Sequence, residues 1–370
     1  MTKDKIQYQV LIIGGGPAGI ATSLTLSARG VSNCIVEAQL EPQPKPGESI
    51  PPNAKPLLQK MGLLELVEHS KHTVYYGNKS CWGSDLLEEK EFIKGIYGHG
   101  FLLNRLYFEQ QLRERAEKFG GKCWTGYKMI KLDSSNDGIE IQIGNGETTE
   151  VLHGQFIVDA TGRKASVCNK LNVKKQELDN QFALTFHTKL EQEIPQQITV
   201  EATKNGWWYA APNDASSLIL MFFTNKEIIP EKSEIASFLM NEFDSSDHIS
   251  KMTTLNAQDL DEVKIMPTGT NRLKQPYGDN WLAVGDAAYS YDPISSYGIT
   301  SALSSGFYGG HAIASKLDGE NEAMMTYHYL MEKSFETYVE RRTIHYSTET
   351  RWKEAKFWKM NHADLEFQAK

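Results

Sequence analysis

Apolar positions along the chain fall into two patterns. Short uninterrupted runs at Val10–Ile13, 34–36, 156–160 and 281–284 suit strands buried on both faces of a parallel sheet. Residues 18–26 follow the first run with helical spacing. Longer runs at 182–188, 198–202, 207–211 and 218–223 suit antiparallel strands, interrupted by a helix near 234–243. Prolines 42, 44, 46, 51, 52 and 56 make a stiff loop that ends where helical spacing resumes at 57–67. Strands at 73–82 and 91–97 pair as a hairpin around the charged turn DLLEEKE. Asn104 caps a helix over 105–119 with Leu106, Phe108, Leu112 and Ala116 on its apolar side. Short strands at 122–124, 127–132, 138–143 and 150–152 form a meander, a helix starts near Ser295 and runs through Ala302, and 316–370 read as helices. The pattern predicts an α/β fold with an α+β second domain. Residues 1–72, 98–180 and 269–315 form a discontinuous first domain, 73–97 and 181–268 an antiparallel-sheet substrate platform, and 316–370 a C-terminal helical segment.

Composition narrows the partners. With 39 basic and 47 acidic residues among 370 the net charge is −8, which argues against nucleic acid and against anionic membrane surfaces. No window approaches a membrane-spanning apolar run and the N-terminus lacks the apolar core of a signal peptide, so the expected compartment is the cytoplasm. Cys34, Cys81, Cys123 and Cys168 are widely spaced without a C-x-x-C, so neither a dithiol redox site nor a zinc site is encoded locally, and no metal is expected.

The chemistry concentrates at two stretches. Gly14, Gly16 and Gly19 form G-x-G-x-x-G between the first strand and the helix that contains Ala18. The first glycine permits the turn, the second lets backbone approach a pyrophosphate, and the third lets helix and strand pack closely. Glu37 ends the next strand, with Ala38 after it, where a carboxylate accepts ribose hydroxyls. In the proline-rich loop Gly47, Glu48 and Ser49 offer donors and a hydroxyl to a ligand. Arg105 in the first turn of its helix is disfavoured by the dipole; it faces either an anion such as a pyrophosphate or a surface carboxylate. The second stretch, 281–299, puts Asp286 at a strand's carboxyl end, where it can accept polyol hydroxyls. Pro293 and Gly298 shape the turn into a helix whose start at Gly298 and Ile299 can stabilise charge on the pyrimidine side of a reduced flavin. No residue is compelled to be a catalytic base. His72, His99, Trp208 and Tyr209 are possible pocket residues, although a lone histidine or a WWY strand more often belongs to the core or the surface.

These motifs, in this order and with DATG at 159–162, resemble the FAD-dependent group that contains para-hydroxybenzoate hydroxylase, geranylgeranyl reductases and flavin-dependent tryptophan halogenases. The resemblance implies a GR2-type Rossmann domain holding FAD, with Asp286 on the ribitol, Arg105 on the phosphate or flavin region and Asp159 supporting the cofactor fold. The antiparallel sheet would roof the flavin. G-E-S at 47–49 and Asp292-Pro293 look like the halogenase-like branch. The halogenase W-x-W-x-I-P is here Trp207, Trp208, Tyr209, Ala210, Ala211, Pro212, and neither Lys71 nor Lys79 matches the halogenase lysine. At this length the chain is similar to flavoproteins of the LodB/GoxB type. That likeness implies a monooxygenase acting with O2 on tryptophan within the precursor of an amino-acid oxidase that carries cysteine tryptophylquinone. NAD(P)H or a flavin reductase would supply electrons, since no second G-x-G-x-x-G follows residue 37. A small-molecule monooxygenase or halogenase and a flavin-bearing maturation chaperone are the alternatives.

Overall fold

The run Val10–Ile13 (β1) is buried along its length and lies at the centre of a five-stranded sheet in the computed structural model, which describes residues 6–363 except 46, 136–137, 191–192, 214–215 and 321. Helix α1 (Pro17–Ala28) leads to β2 (Asn33–Glu37) beside β1. The chain then leaves for β3 (Ser49–Ile50) and the hairpin of β4 (Gly77–Cys81) and β5 (Glu88–Glu91). It returns through β6 (Gly100–Leu102), α2 (Arg105–Lys118) and β7 (Lys122–Thr125). A meander of β8 (Lys128–Ser135), β9 (Gly138–Gly144) and β10 (Thr149–Gly154) precedes β11 (Phe156–Asp159).

Strands β12 (Gln181–Lys189), β13 (Gln197–Thr203), β14 (Gly206–Pro212) and β15 (Ser217–Asn225) form the second large sheet, followed by α3 (Ile235–Asp244) and β16 (Lys264–Pro267). The chain ends with β17 (Trp281–Ala283), α4 (Gly298–Leu317), α5 (Ala323–Thr348) and α6 (Lys356–Ala363).

The first sheet has the order β17-β11-β1-β2-β7 and every pairing is parallel, with Leu11 opposite both Ile157 and Cys34. Chain direction reverses sides at β1, so the crevice beyond its carboxyl end is a topological switch point. The second sheet, β16-β12-β15-β14-β13-β4-β5, is antiparallel except where β13 meets β4. This is the Rossmann-type α/β fold with an antiparallel layer and C-terminal helices that the pattern predicts.

Three local expectations shift. The hairpin's second strand is Glu88–Glu91, not 91–97, because residues 92–94 turn in a 3-10 helix and Phe92 packs on Tyr75 with ring centroids 5.2 Å apart. Leu106 is exposed rather than on the buried side of α2. Helix α4 starts at Gly298, not Ser295, because residues 293–295 form a 3-10 turn and Ser296 is left-handed at φ +50°.

Burial distinguishes the two faces of the second sheet. Trp207, Tyr209, Ala211, Ile219, Met221 and Phe223 face inward, while Trp208, Ala210, Leu220 and Phe222 face α3. The aromatic C-terminal segment closes on the inner face, where Tyr346, Phe357 and Trp358 are fully buried. Among the described residues no helix is long and apolar enough to cross a membrane.

Candidate cofactor and active site

Parallel register brings the carboxyl ends of β1, β2, β11 and β17 to one edge, carrying Gly14, Glu37, Asp159 and Asp286 with them. Gly14 has φ +110°, and a Cβ there would sit 2.2 Å from the carbonyl oxygen of Ala160. A Cβ on Gly19 would sit 2.0 Å from the carbonyl oxygen of Gly14, so only glycine lets α1 pack on the turn. Gly16, the N-cap of α1, would meet nothing within 4 Å. Two glycines are therefore filled by protein and the middle one borders open space at an uncapped helix start with no acidic residue in its first turn. Ala18 is buried in α1. Glu37 is aimed at the same turn, its carboxylate accepting from the amides of Gly15 at 2.7 Å and Gln39 at 2.8 Å, and Ala38 is exposed beside it.

Asn104 caps α2 by accepting from the Tyr107 amide at 3.1 Å. Arg105 donates to the Gly47 carbonyl at 2.6 Å and pairs with Glu109, which Lys45 also reaches at 2.7 Å. Burial opposes the Glu109 charge, yet these two cations hold its carboxyl below the usual range. Gly47 is left-handed at φ +85°. Glu48 points inward instead of toward solvent and accepts from the Tyr209 hydroxyl of the inner sheet face at 3.0 Å. Burial pushes the Glu48 carboxyl up, partly offset by that bond, and pushes Tyr209 well above the ordinary phenol range. Ser49 is buried in β3, opposite Leu102 of β6.

On the other side of β1, the buried Asp159 accepts from the Thr161 hydroxyl at 2.7 Å and from the amides of Val167 and Cys168, both at 2.9 Å. It fixes the loop whose Ala160 carbonyl packs on Gly14. Asp286 lies one-third exposed, with Arg163 Nε 3.5 Å from its carboxylate and Lys175 Nζ donating to its carbonyl at 2.5 Å. Burial lowers the Lys175 ammonium to about 8, against the pull of Asp286. Arg163 and Lys175 escaped the sequence reading; the only local signal was Arg163 directly after the DATG. Pro293 opens the turn capped by Asp292, and Gly298, like Gly16, borders open space at a helix start, with Ile299 buried behind it.

Other candidates lie elsewhere. His72 supports α2, its Nδ1 accepting from the Asn104 amide at 3.0 Å. His99 packs on Phe101 with ring centroids 5.1 Å apart. Trp208 and Lys79 are on the outer face, since Lys79 pairs in register with Thr199 and Thr199 with Ala210. Lys71 lies over the Tyr107 ring at 4.4 Å. Cys81, Glu201 and His248 lie together on the outer side. Glu201 already accepts amides from Asp247, His248 and Ile249, and Arg351 reaches the Cys81 sulfur at 3.7 Å, which leaves little reason for a cation there.

The chain is 25% identical over 361 residues to LodB of Marinomonas mediterranea, whose name assigns it to the FAD-dependent oxidoreductases, covering 96% of this chain and 97% of that one. Its fold matches the flavin-dependent halogenase CmlS with a TM-score of 0.86 at 22% identity, covering 96% of this chain and 67% of that one. It also matches QhpG, a peptidyl tryptophan dihydroxylase essential for tryptophylquinone cofactor biogenesis, with a TM-score of 0.80 at 20% identity, covering 96% and 78%. Residues 7–341 match the FAD binding domain family, and the chain belongs to that family as an FAD-dependent oxidoreductase.

Proposed function

We propose that this protein is a monooxygenase that oxygenates a tryptophan side chain in the precursor of an amino-acid oxidase during cysteine tryptophylquinone biogenesis. The observation that carries the reading is the end-to-end similarity to LodB, together with a fold shared with a peptidyl tryptophan dihydroxylase. Two features favour it over halogenation: Lys79 lies on the outer face of the sheet, and Tyr209 stands where the halogenase pattern has its second tryptophan.

When bound, FAD supplies the redox chemistry, passing two electrons from NAD(P)H or a flavin reductase to O2 so that one oxygen atom enters the substrate and the other leaves as water. In this reading Gly14, Gly16, Ala18 and Gly19 cradle the pyrophosphate, and Glu37 and Ala38 meet the adenosine ribose. Arg105, tied to the Gly47 carbonyl, holds the loop carrying Glu48 and Ser49 against the cofactor. Asp286, placed by Arg163 and Lys175, holds the ribitol. Pro293, Gly298 and Ile299 present the start of α4 to the pyrimidine side. The inner face of the second sheet excludes water and orients the ring, and the Glu48 carboxyl accepts from the Tyr209 hydroxyl there.

The test is to incubate the reduced protein with O2 and a tryptophan-containing precursor oxidase while following flavin absorbance and precursor mass. Mass gained in oxygen increments during flavin turnover supports the proposal. Unchanged mass with the two proteins bound sinks it in favour of a maturation chaperone, and halide incorporation into a free indole sinks it in favour of a halogenase.

A further inference from the structure

A buried polar network joins the C-terminal helices to the turn that starts α4. Asp292, 1% exposed, accepts at Oδ2 from the Tyr346 hydroxyl at 2.7 Å, from Arg342 Nε at 3.0 Å and from Gln181 Nε2 at 3.4 Å. Its Oδ1 accepts from the Ile294 amide at 2.9 Å, and its own amide donates to the Tyr338 hydroxyl at 2.7 Å. Arg342 also lies 3.2 Å from Asp179 and donates to Asn361 of α6 at 2.9 Å. The Tyr346 hydroxyl in turn accepts from Trp207 Nε1 of β14 at 3.0 Å. Asp292 therefore gathers three residues of α5, two at its carboxylate and Tyr338 at its amide, together with the start of β12 and, through Tyr346, Trp207 of the second sheet.

This arrangement fixes position as well as fold. The oxygen of Asp292 that α5 does not occupy caps the 3-10 turn at Pro293–Ser295, and Ser296, left-handed at φ +50°, then aims the chain into α4. Helix α4 begins without a side-chain cap or an acidic residue in its first turn. Gly298 borders open space there, and the Thr300 hydroxyl is buried without a hydrogen-bond partner among the described residues. The end of α4 that borders open space is thus oriented by a turn whose own anchor is α5. Two carboxylates, Asp179 and Asp292, converge on the single guanidinium of Arg342. Although burial opposes its charge, they and the phenols of Tyr346 and Tyr338 hold Arg342 above the ordinary guanidinium range.

We propose that Arg342 and Tyr346 are positioning residues of the flavin site: through Asp292 they set the turn at 293–298 against the cofactor and so tune its affinity and reduction potential. The inference rests on the placement of that turn beside the flavin and is independent of the tryptophan substrate.

Three variants test it, with apoprotein melting temperature, FAD affinity by fluorescence titration and the midpoint potential of bound flavin as readouts. Tyr346→Phe keeps the ring and removes only the hydroxyl; Arg342→Lys keeps the charge and loses the fork. Gly298→Val alters the turn's exit directly. Tyr346→Phe is expected to stay folded, to weaken FAD binding and to make the potential more negative. Each tenfold greater loss for reduced than for oxidised flavin appears as about 30 mV. Arg342→Lys is expected to fall between wild type and Tyr346→Phe. If Gly298→Val weakens FAD binding while both network variants leave affinity and potential unchanged, the network is merely structural and the inference is overturned. If Gly298→Val itself leaves FAD binding unchanged, the placement of the turn beside the flavin fails instead.

Discussion

A methyl group on Gly14 would meet the Ala160 carbonyl oxygen at 2.2 Å, whereas one on Gly16 would meet nothing within 4 Å. Gly14→Ala is therefore expected to destabilise the apoprotein by about 2–4 kcal/mol and to abolish flavin retention, through positive-φ strain and overpacking. Gly16→Ala should leave the apoprotein melting temperature unchanged and weaken FAD binding at least about tenfold, a loss of about 1.4 kcal/mol. Equal melting-temperature losses in both would show that the cradle is not open at Gly16. At the Glu48–Tyr209 pair, Tyr209→Phe removes the donor to a buried carboxyl and is expected to cost about 1–3 kcal/mol in thermal denaturation. Since the Glu48 pKa is raised in the fold, its contribution is complete below the ordinary carboxylate value and is lost as pH rises through the raised one. Glu48→Gln should accordingly flatten the decline of stability with rising pH. His72 behaves in the opposite sense. Burial lowers its pKa from 6.5 to about 4, so the unfolded chain takes up the proton first and stability falls as pH drops through that window. His72→Asn, which keeps an acceptor for the Asn104 amide, should remove up to about 2 kcal/mol of the loss between pH 7 and pH 5 in urea denaturation. The glycines were legible in sequence because their spacing belongs to one strand-turn-helix unit, although the Ala160 carbonyl that crowds Gly14 comes from another strand. The inward orientation of Glu48 was not, because its partner Tyr209 comes from a different sheet.

At the scale of elements, glycines let α1 and α4 pack closely. A Cβ on Gly306 would lie 2.2 Å from the Ala18 carbonyl oxygen, and one on Gly310 would lie 2.7 Å from Cβ of Thr25. Gly306→Val is expected to push the helices apart, destabilise the fold by about 1–3 kcal/mol and carry the flavin cradle with it, so that melting temperature and FAD retention fall together. Retained flavin at a lowered melting temperature would show that α1 keeps its place without α4. Periodicity predicted the strands of both sheets well, since hydrophobic runs and alternation record which faces are buried. It placed the hairpin and the start of α4 several residues off. Phe92 packs on Tyr75 of another strand, and the turn before Ser296 is capped by Asp292, whose anchors Arg342 and Tyr346 no local pattern contains.

For the whole molecule, the aromatic and charged C-terminal segment illustrates the limit of sequence reading. As a string it reads only as helices, yet Tyr346 and Trp358 are fully buried and Arg342 is 4% exposed. The residues around Asp292 come from positions 179, 181, 338, 342, 346 and 361, and only the completed fold assembles them. Because FAD in this reading touches segments from both ends of the chain, its binding should stabilise the molecule as one unit. At a free concentration about a hundred times its dissociation constant it should add about 2.7 kcal/mol, seen as a single shifted melting transition. Two transitions, with only one moved by FAD, would show that the sheets respond separately.

The strand order of the parallel sheet also bears on how the protein is made. Its central strand is translated at residues 10–13, but one neighbour arrives only at 156–159 and the far edge only at 281–283. At about 5–20 residues per second a ribosome leaves Val10–Ile13 with an incomplete ladder for many seconds. Until β17 emerges, β11 presents an apolar open edge to every other nascent chain nearby. Newly made protein is thus most vulnerable to aggregation before residues 281–283 have left the exit tunnel, and slower translation would lengthen the exposure rather than relieve it.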